Sequence, residues 1–255
     1  MTHPFLTGTR RPRVLAHRGL VTTEMAADGI AENSIAAFAA AQAAGAEYVE
    51  SDCRMTADGV VVLFHDDSLE RVTGDKRAVS DVTLHELADL MASRGGLPVL
   101  RDVLRDFPET RFNIDVKDDA AAVAAGAIVA EHAERVLLTS FSDDRRRIAL
   151  DAAAPARPAT SAGSSLITRL VLASAAGARG RASRLLDGID ALQIPERQKG
   201  VRVLRTRLVR WAHEQGVEVH VWTIDDPARM RAVLDRGVDG IVTNRSDLAL
   251  AELSA

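Results

Sequence analysis

The chain carries a single cysteine, Cys53, among 255 residues, so no intrachain disulfide can form. It has no apolar run long enough to span a bilayer. The most lipophilic stretch, Leu166 to Ala176, is short and is interrupted by Arg169. The first 13 residues lack the apolar centre of a secretory signal, and the expectation is a soluble cytoplasmic protein. Neither sign of charge dominates: 32 basic residues against 36 acidic ones leave a net charge of −4, which gives no general attraction to nucleic acid. Low-complexity tracts, repeats and linkers are missing too, so one domain over residues 1–255 is expected, with a motif-bearing core over about 13–250.

What is present is alternation. Short runs rich in Val, Leu and Ile occur at Val14–His17, Tyr48–Asp52, Val60–His65, Phe112–Lys117, Val136–Phe141, Arg157–Ala162, Ala191–Pro195, Val217–Ile224 and Gly240–Asn244. Segments with helical spacing lie between many of them: Asn33–Ala44, Ala120–His132, Asp143–Ala153, Val201–Gln215 and Pro227–Arg236. This rhythm predicts an α/β fold built on a parallel sheet, and about 250 residues suits a TIM-type (β/α)8 barrel. Nine strands are one too many for such a barrel. Only Ala57-Asp58-Gly59 separates the second from the third, too little for a crossover helix, so a hairpin-like excursion or an irregular opening is expected there.

The chemistry-bearing residues cluster early. In Tyr48–Cys53, Glu50 and Asp52 share one strand face and Cys53 takes the other. In Asn113–Lys117 the residues Asn113, Asp115 and Lys117 share a face, opposite Ile114 and Val116. Adjacent carboxylates repel unless a cation or a proton lies between them. Glu50, Asp52 and Asp115 would make an all-oxygen site better suited to Mg²⁺ or Ca²⁺ than to zinc. His17 and His65 each end a strand-like run. Two imidazoles beside acidic ligands can serve as general base and general acid, with no indication of which is which. Arg18 and Lys117 are placed to hold phosphate oxygens, and Trp222 to form an apolar pocket wall.

In order, His17-Arg18-Gly19, Glu32-Asn33-Ser34, Glu50-x-Asp52, His65-Asp66-x-x-Leu69-x-Arg71-x-Thr73, Asn113–Lys117, Ser140-Phe141, Trp222-Thr223-Ile224 and Gly237–Asn244 cover most of the chain. Together they resemble the glycerophosphodiester phosphodiesterase family, one of the PLC-like phosphodiesterase barrels. The resemblance implies an enzyme that hydrolyses a glycerophosphodiester such as glycerophosphocholine to an alcohol and glycerol 3-phosphate. It implies His17 and His65 as the acid–base pair and Glu50, Asp52 and Asp115 as ligands of a divalent metal. Arg18 and Lys117 fall toward the phosphate, and Glu32 in a supporting place near the metal. Asp115 stands where the family usually has glutamate and Asn244 where it more often has aspartate. The Leu20–Ala31 connection is longer than the family's usual one.

Two other readings compete. Between Ser164 and Arg210 lie ten basic residues and three acidic ones. A phospholipase D-like enzyme acting on lysophospholipid or sphingomyelin-type lipids would use Arg202, Arg205 and Arg210, with Leu204, Leu208 and Trp211, as a weak membrane-surface contact. A non-catalytic barrel that binds phosphorylated ligands is the third reading.

Overall fold

Along each strand the side chains alternate, and here the outward set is apolar while much of the inward set is polar. Val14, Ala16, Val49, Phe112, Ile114, Leu192, Ile194, Val219 and Val221 are buried between the strands and the helices outside them. That seam is the main core. The computed structural model describes residues 2–253.

The strands are β1 (Arg13–His17), β2 (Tyr48–Met55), β3 (Val61–Leu63), β4 (Arg111–Val116), β5 (Val136–Thr139), β6 (Ala159–Thr160), β7 (Ala191–Pro195), β8 (Arg197–Gln198), β9 (Val201–Arg202), β10 (Glu218–Trp222) and β11 (Gly240–Thr243). Eight of them run parallel in the order β6-β5-β4-β2-β1-β11-β10-β7. A single parallel bridge between Ser161 and Ala191 joins the two ends of that order. The result is a nearly closed barrel of eight parallel strands with helices around it.

The ninth predicted strand is the expected excursion. β3 turns back antiparallel on the end of β2, with Cys53 opposite Leu63 and Met55 opposite Val61. The predicted helix over Val201–Gln215 is shorter than its pattern. Val201–Arg202 pairs with Arg197–Gln198 across Lys199-Gly200, whose φ values of 46° and 80° suit a tight hairpin turn, so the helix starts at Thr206. Several helices following barrel strands begin at side-chain caps: Ser34 for Ile35–Ala43, Asp118 for Asp119–Ala130, Ser142 for Asp143–Ala153 and Asp226 for Pro227–Leu234. These caps hold the ends nearest the strands' C-terminal edges, where the loops of such a barrel build its site.

The barrel interior is layered. Beneath it the short turn Pro4–Leu6 inserts Phe5 and Leu6, which pack with Leu15, Tyr48, Leu137, Ala159, Ala191 and Val242. Arg13, 1% exposed, sits among them. It donates to Glu218 Oε2 at 2.6 Å, to Tyr48 Oη at 2.9 Å and to the Leu6 carbonyl at 2.5 Å. Above the apolar layer the inward residues become polar again.

Candidate active site

The turn after β1 is built to present His17 and Arg18. Arg18 has a left-handed φ of 59° and Asn33 one of 49°; Asn33 N–H donates to the Arg18 carbonyl at 2.9 Å. Such backbone is costly for residues with a side chain and is held by the surrounding structure. Gly19 has no alternative, since at φ 87° an added Cβ would lie 2.7 Å from the Ala37 backbone.

A cleft of about 930 Å³, open to solvent at its mouth, lies at the C-terminal end of the barrel strands. His17, Arg18, Glu50, Asp52, His65, Asp115, Lys117 and Trp222 all line it. Glu32 does not. It accepts from Arg18 at 2.7 Å and from Arg71 at 2.6 Å, and so braces the arginine from behind. Eight of the nine residues singled out from sequence therefore meet in one cavity, and the ninth supports them.

The two histidines are held alike. His17 Nδ1 lies 2.7 Å from Asn244 Oδ1, and Asn244 in turn donates to Asp225 Oδ2 at 2.8 Å, which fixes the amide with its oxygen toward the ring. His65 Nδ1 lies 2.6 Å from Asp66 Oδ1, and Asp66 is held by Arg71 at 2.5 Å. In each case Nδ1 is taken up and Nε2 is left for chemistry. His17 Nε2 stands 3.7 Å from Glu50 Oε2. Burial, and then the Arg18 charge, lower the His17 pKa and favour its neutral imidazole.

The carboxylates are deeply buried: Glu50, Asp52 and Asp115 are 9%, 2% and 4% exposed. Lys117 Nζ lies 2.9 Å from Asp52 Oδ1 and 2.6 Å from Asp115 Oδ2. Asp52 Oδ2 also accepts from Asn33 at 3.2 Å and has the Arg18 guanidinium at 3.3 Å. Burial favours the neutral form of Asp52, but Lys117 and Arg18 outweigh it and hold the carboxyl below its ordinary value. Burial pushes Asp115 up to about 6, with Lys117 opposing and Asp52 adding to the rise. Burial and the charges of Asp52 and Asp115 raise Glu50 well above its usual range. Lys117 is buried as well, yet its two carboxylate partners raise its pKa and keep it charged.

Among the described residues, no three His, Cys, Asp or Glu side chains converge as a ready metal cage. The Lys117 ammonium stands between two of the carboxylates that the sequence gives to a metal. Still, Glu50 Oε2 and Asp115 Oδ1 are buried with no hydrogen-bond partner. Unpaired buried oxygens at adjacent register positions fit a hard cation on the Glu50–Asp115 side.

Sequence reasoning missed the far wall of the cleft, where Thr139, Ser161 and Gln193 face in from β5, β6 and β7, and the rim residue Ile167. It also gave no role to Asn33, Asp66, Arg71 or Asp225. The first three lie inside or beside quoted motifs, so a reading of motif neighbours would have flagged them. The helix face given to a membrane contact is turned inward. Leu204 and Leu208 are fully buried and Trp211 is 6% exposed, all within the core. Among the described residues no helix is long and apolar enough to cross a membrane.

A model of the glycerophosphoryl diester phosphodiesterase family matches residues 17–248. The chain belongs to that family. It is 38% identical over 238 residues to a Mycobacterium tuberculosis protein named "Probable glycerophosphodiester phosphodiesterase 2", covering 92% of this chain and 88% of that one. Its fold is similar to the glycerophosphodiester phosphodiesterase of Thermotoga maritima, with a TM-score of 0.72, 25% identity and coverage of 96% and 99% of the two chains. An Oleispira antarctica phosphodiesterase, solved in complex with its product sn-glycerol-3-phosphate, shares the fold at a TM-score of 0.73 and 20% identity, over 96% and 98% of the chains. The family is generally dependent on a divalent metal.

Proposed function

We propose that this cleft hydrolyses glycerophosphodiesters with His17 as general base and His65 as general acid. Hydrolysis of a glycerophosphodiester follows from family membership; the division of labour is read from the hydrogen-bond partners. His17 faces a neutral amide oxygen, which suits an imidazole that begins neutral and accepts a proton through Nε2. His65 faces a carboxylate, which suits an imidazolium that begins charged and gives one up. His17 takes a proton from an attacking water as the water oxygen bonds to phosphorus. His65 protonates the departing alkoxide as the second P–O bond breaks, leaving glycerol 3-phosphate and an alcohol.

Lys117 spends two of its three N–H bonds on Asp52 and Asp115 and keeps one for a phosphate oxygen. Arg18, braced by Glu32, offsets phosphate charge from the other side. Glu50, Asp52 and Asp115 would hold Mg²⁺ or Ca²⁺, supported by the orphaned oxygens of Glu50 and Asp115. When bound, such an ion supplies Lewis-acid stabilisation of charge on the phosphoryl oxygens. The single observation that carries the reading is the pair of imidazoles, each pinned at Nδ1, lining one cavity with three buried carboxylates and two cations.

The test is hydrolysis of glycerophosphocholine and glycerophosphoethanolamine by metal-stripped protein with Mg²⁺ or Ca²⁺ restored, following release of glycerol 3-phosphate. Metal-restored release is expected. Well-folded protein that releases none with either ion overturns the proposal and returns weight to a lipid substrate. For a lipid substrate, Leu204, Leu208 and Trp211 would not be the contact, since they are core residues.

A further inference from the structure

Across the barrel from the charged residues lies a second, uncharged pole. In the strand order β6-β5-β4-β2-β1-β11-β10-β7, β6 and β7 stand opposite β1 and β2, so Ser161 and Gln193 face His17 and Glu50 across the cleft. Gln193 is 9% exposed, and its Nε2 is buried without a partner. Its orientation is set: Ser161 Oγ donates to Gln193 Oε1 at 3.2 Å and is itself 2.6 Å from Thr139 Oγ1. With Oε1 engaged, the amide N–H2 is what the cleft receives. On β4, between the two poles, Asn113 Oδ1 is a buried acceptor that also lacks a partner. A donor and an acceptor, both desolvated and both unused, match a group that accepts and donates at once, which is a hydroxyl.

The same wall is poor for a cation. Its lining from Thr139 to Gln198 contains no carboxylate; the acids of the cleft are Glu50, Asp52 and Asp115, all on β2 and β4. The aromatic rim is already set against a positive charge, with Lys117 Nζ 5.0 Å from the Phe141 ring centroid and Phe141 edge-on to Trp222 at 5.8 Å. A trimethylammonium or ammonium headgroup on this wall finds no carboxylate of its own, since Asp52 and Asp115 are already taken up by Lys117.

Resting on the hydrolytic reading above, we infer that Gln193, oriented by Ser161 and Thr139, makes this wall a subsite for a neutral, hydroxyl-bearing leaving group, so that the preferred diesters carry a polyol headgroup rather than choline or ethanolamine. A substrate hydroxyl satisfies the Gln193 donor; a choline methyl buries it unpaired, and that difference appears in the transition state as well as in binding.

The experiment compares kcat/KM for glycerophosphoglycerol and glycerophosphocholine, each with the activating metal, in the unaltered protein and in Gln193→Leu. The unaltered protein is expected to favour glycerophosphoglycerol by about tenfold, the worth of one well-made hydrogen bond to a desolvated donor. Gln193→Leu should lower kcat/KM for glycerophosphoglycerol by about tenfold and leave glycerophosphocholine within about twofold. Equal losses on both diesters overturn the inference, because the wall then serves the glycerol arm common to both or is only structural. A preference for choline overturns it as well. Turnover of neither diester by the unaltered protein overturns the hydrolytic reading and the subsite with it, whereas turnover of both without preference removes the subsite alone. If Gln193→Leu melts early, Ser161→Ala gives the same contrast: a smaller loss confined to the polyol diester supports the inference, and no selective loss overturns it.

Discussion

The two ends of the barrel interior are both polar and both buried, yet they are finished differently. At the lower end Arg13, Tyr48 and Glu218 satisfy one another, with the Thr9 hydroxyl and the Phe5 and Leu6 carbonyls taking the remaining donors, and among the described residues none of the three keeps a buried polar atom unpaired. At the upper end Glu50, Asn113, Asp115 and Gln193 each keep one. A saturated network stabilises and specifies; one left open costs stability until something binds. The difference separates scaffold from site without reference to any motif. His220, with Nε2 3.2 Å from Glu218 and Nδ1 unpaired, lies between the two regimes.

Substitutions can break that comparison. His17→Ala and His65→Ala should each cut turnover by about two to four orders of magnitude while the thermal melt barely moves, as measured by glycerol 3-phosphate release and circular dichroism. Near-normal turnover in either variant removes that histidine from the mechanism. Glu218→Ala at the lower end should do the reverse, costing about 3–5 kcal/mol in a urea melt by leaving Arg13 buried and unpaired, with the activity of the molecules still folded unchanged. If Glu218→Ala reduced turnover per folded molecule more than stability, the two ends would not be separate. Smaller again is the effect of Glu50→Gln on cation binding. Calorimetric titration with Mg²⁺ or Ca²⁺ should show affinity weaker by about tenfold to a hundredfold, and an unchanged isotherm would take Glu50 out of the ion's coordination.

The ends also respond to pH with opposite sign. Burial disfavours the charged form of Glu218, but hydrogen bonds from Arg13 and His220 and their charges outweigh it and bring the pKa down to about 2. Its stabilisation is therefore complete above the unfolded pKa near 4.5 and is lost as pH falls toward 2. Asp115 is raised from 3.8 to about 6, so its contribution is present below 3.8 and is lost as pH rises through 6. Asp115→Asn should accordingly stabilise the metal-free protein by about 1–2 kcal/mol at pH 7.5 and by almost nothing at pH 4, read from urea midpoints at the two pH values. A loss of stability at pH 7.5 would mean that the Lys117 ion pair, rather than burial, governs this carboxylate.

Much of this was legible in the sequence. Every strand-like run became a strand, because alternating or continuous β-branched segments between helical patterns have few other solutions. The carboxylates of β2 and β4 were placed by period-two arithmetic, and Glu50 and Asn113 prove to be register partners. The far wall was not legible. Gln193 sits singly in an apolar strand and Ser161 just past the two-residue β6, and only barrel closure, a long-range property, sets them opposite His17. The amphipathic Leu204–Trp211 segment misled for a related reason: an apolar helical face looks the same in sequence whether a core or a bilayer covers it. Asp225 was invisible because its role depends on Asn244, whose own role depends on β11 returning beside β1.

That return has a consequence for synthesis. The amide that orients the His17 ring is Asn244, 227 positions further along the chain, and the barrel shuts only when β11 docks against β1. A ribosome that has passed Lys117 has already made both histidines, the three carboxylates and Arg18. Until β11 and Asn244 emerge, the nascent polypeptide lacks the amide that holds the proposed base in place. Hydrolytic competence therefore waits on β11, and a product terminated before it is born inactive.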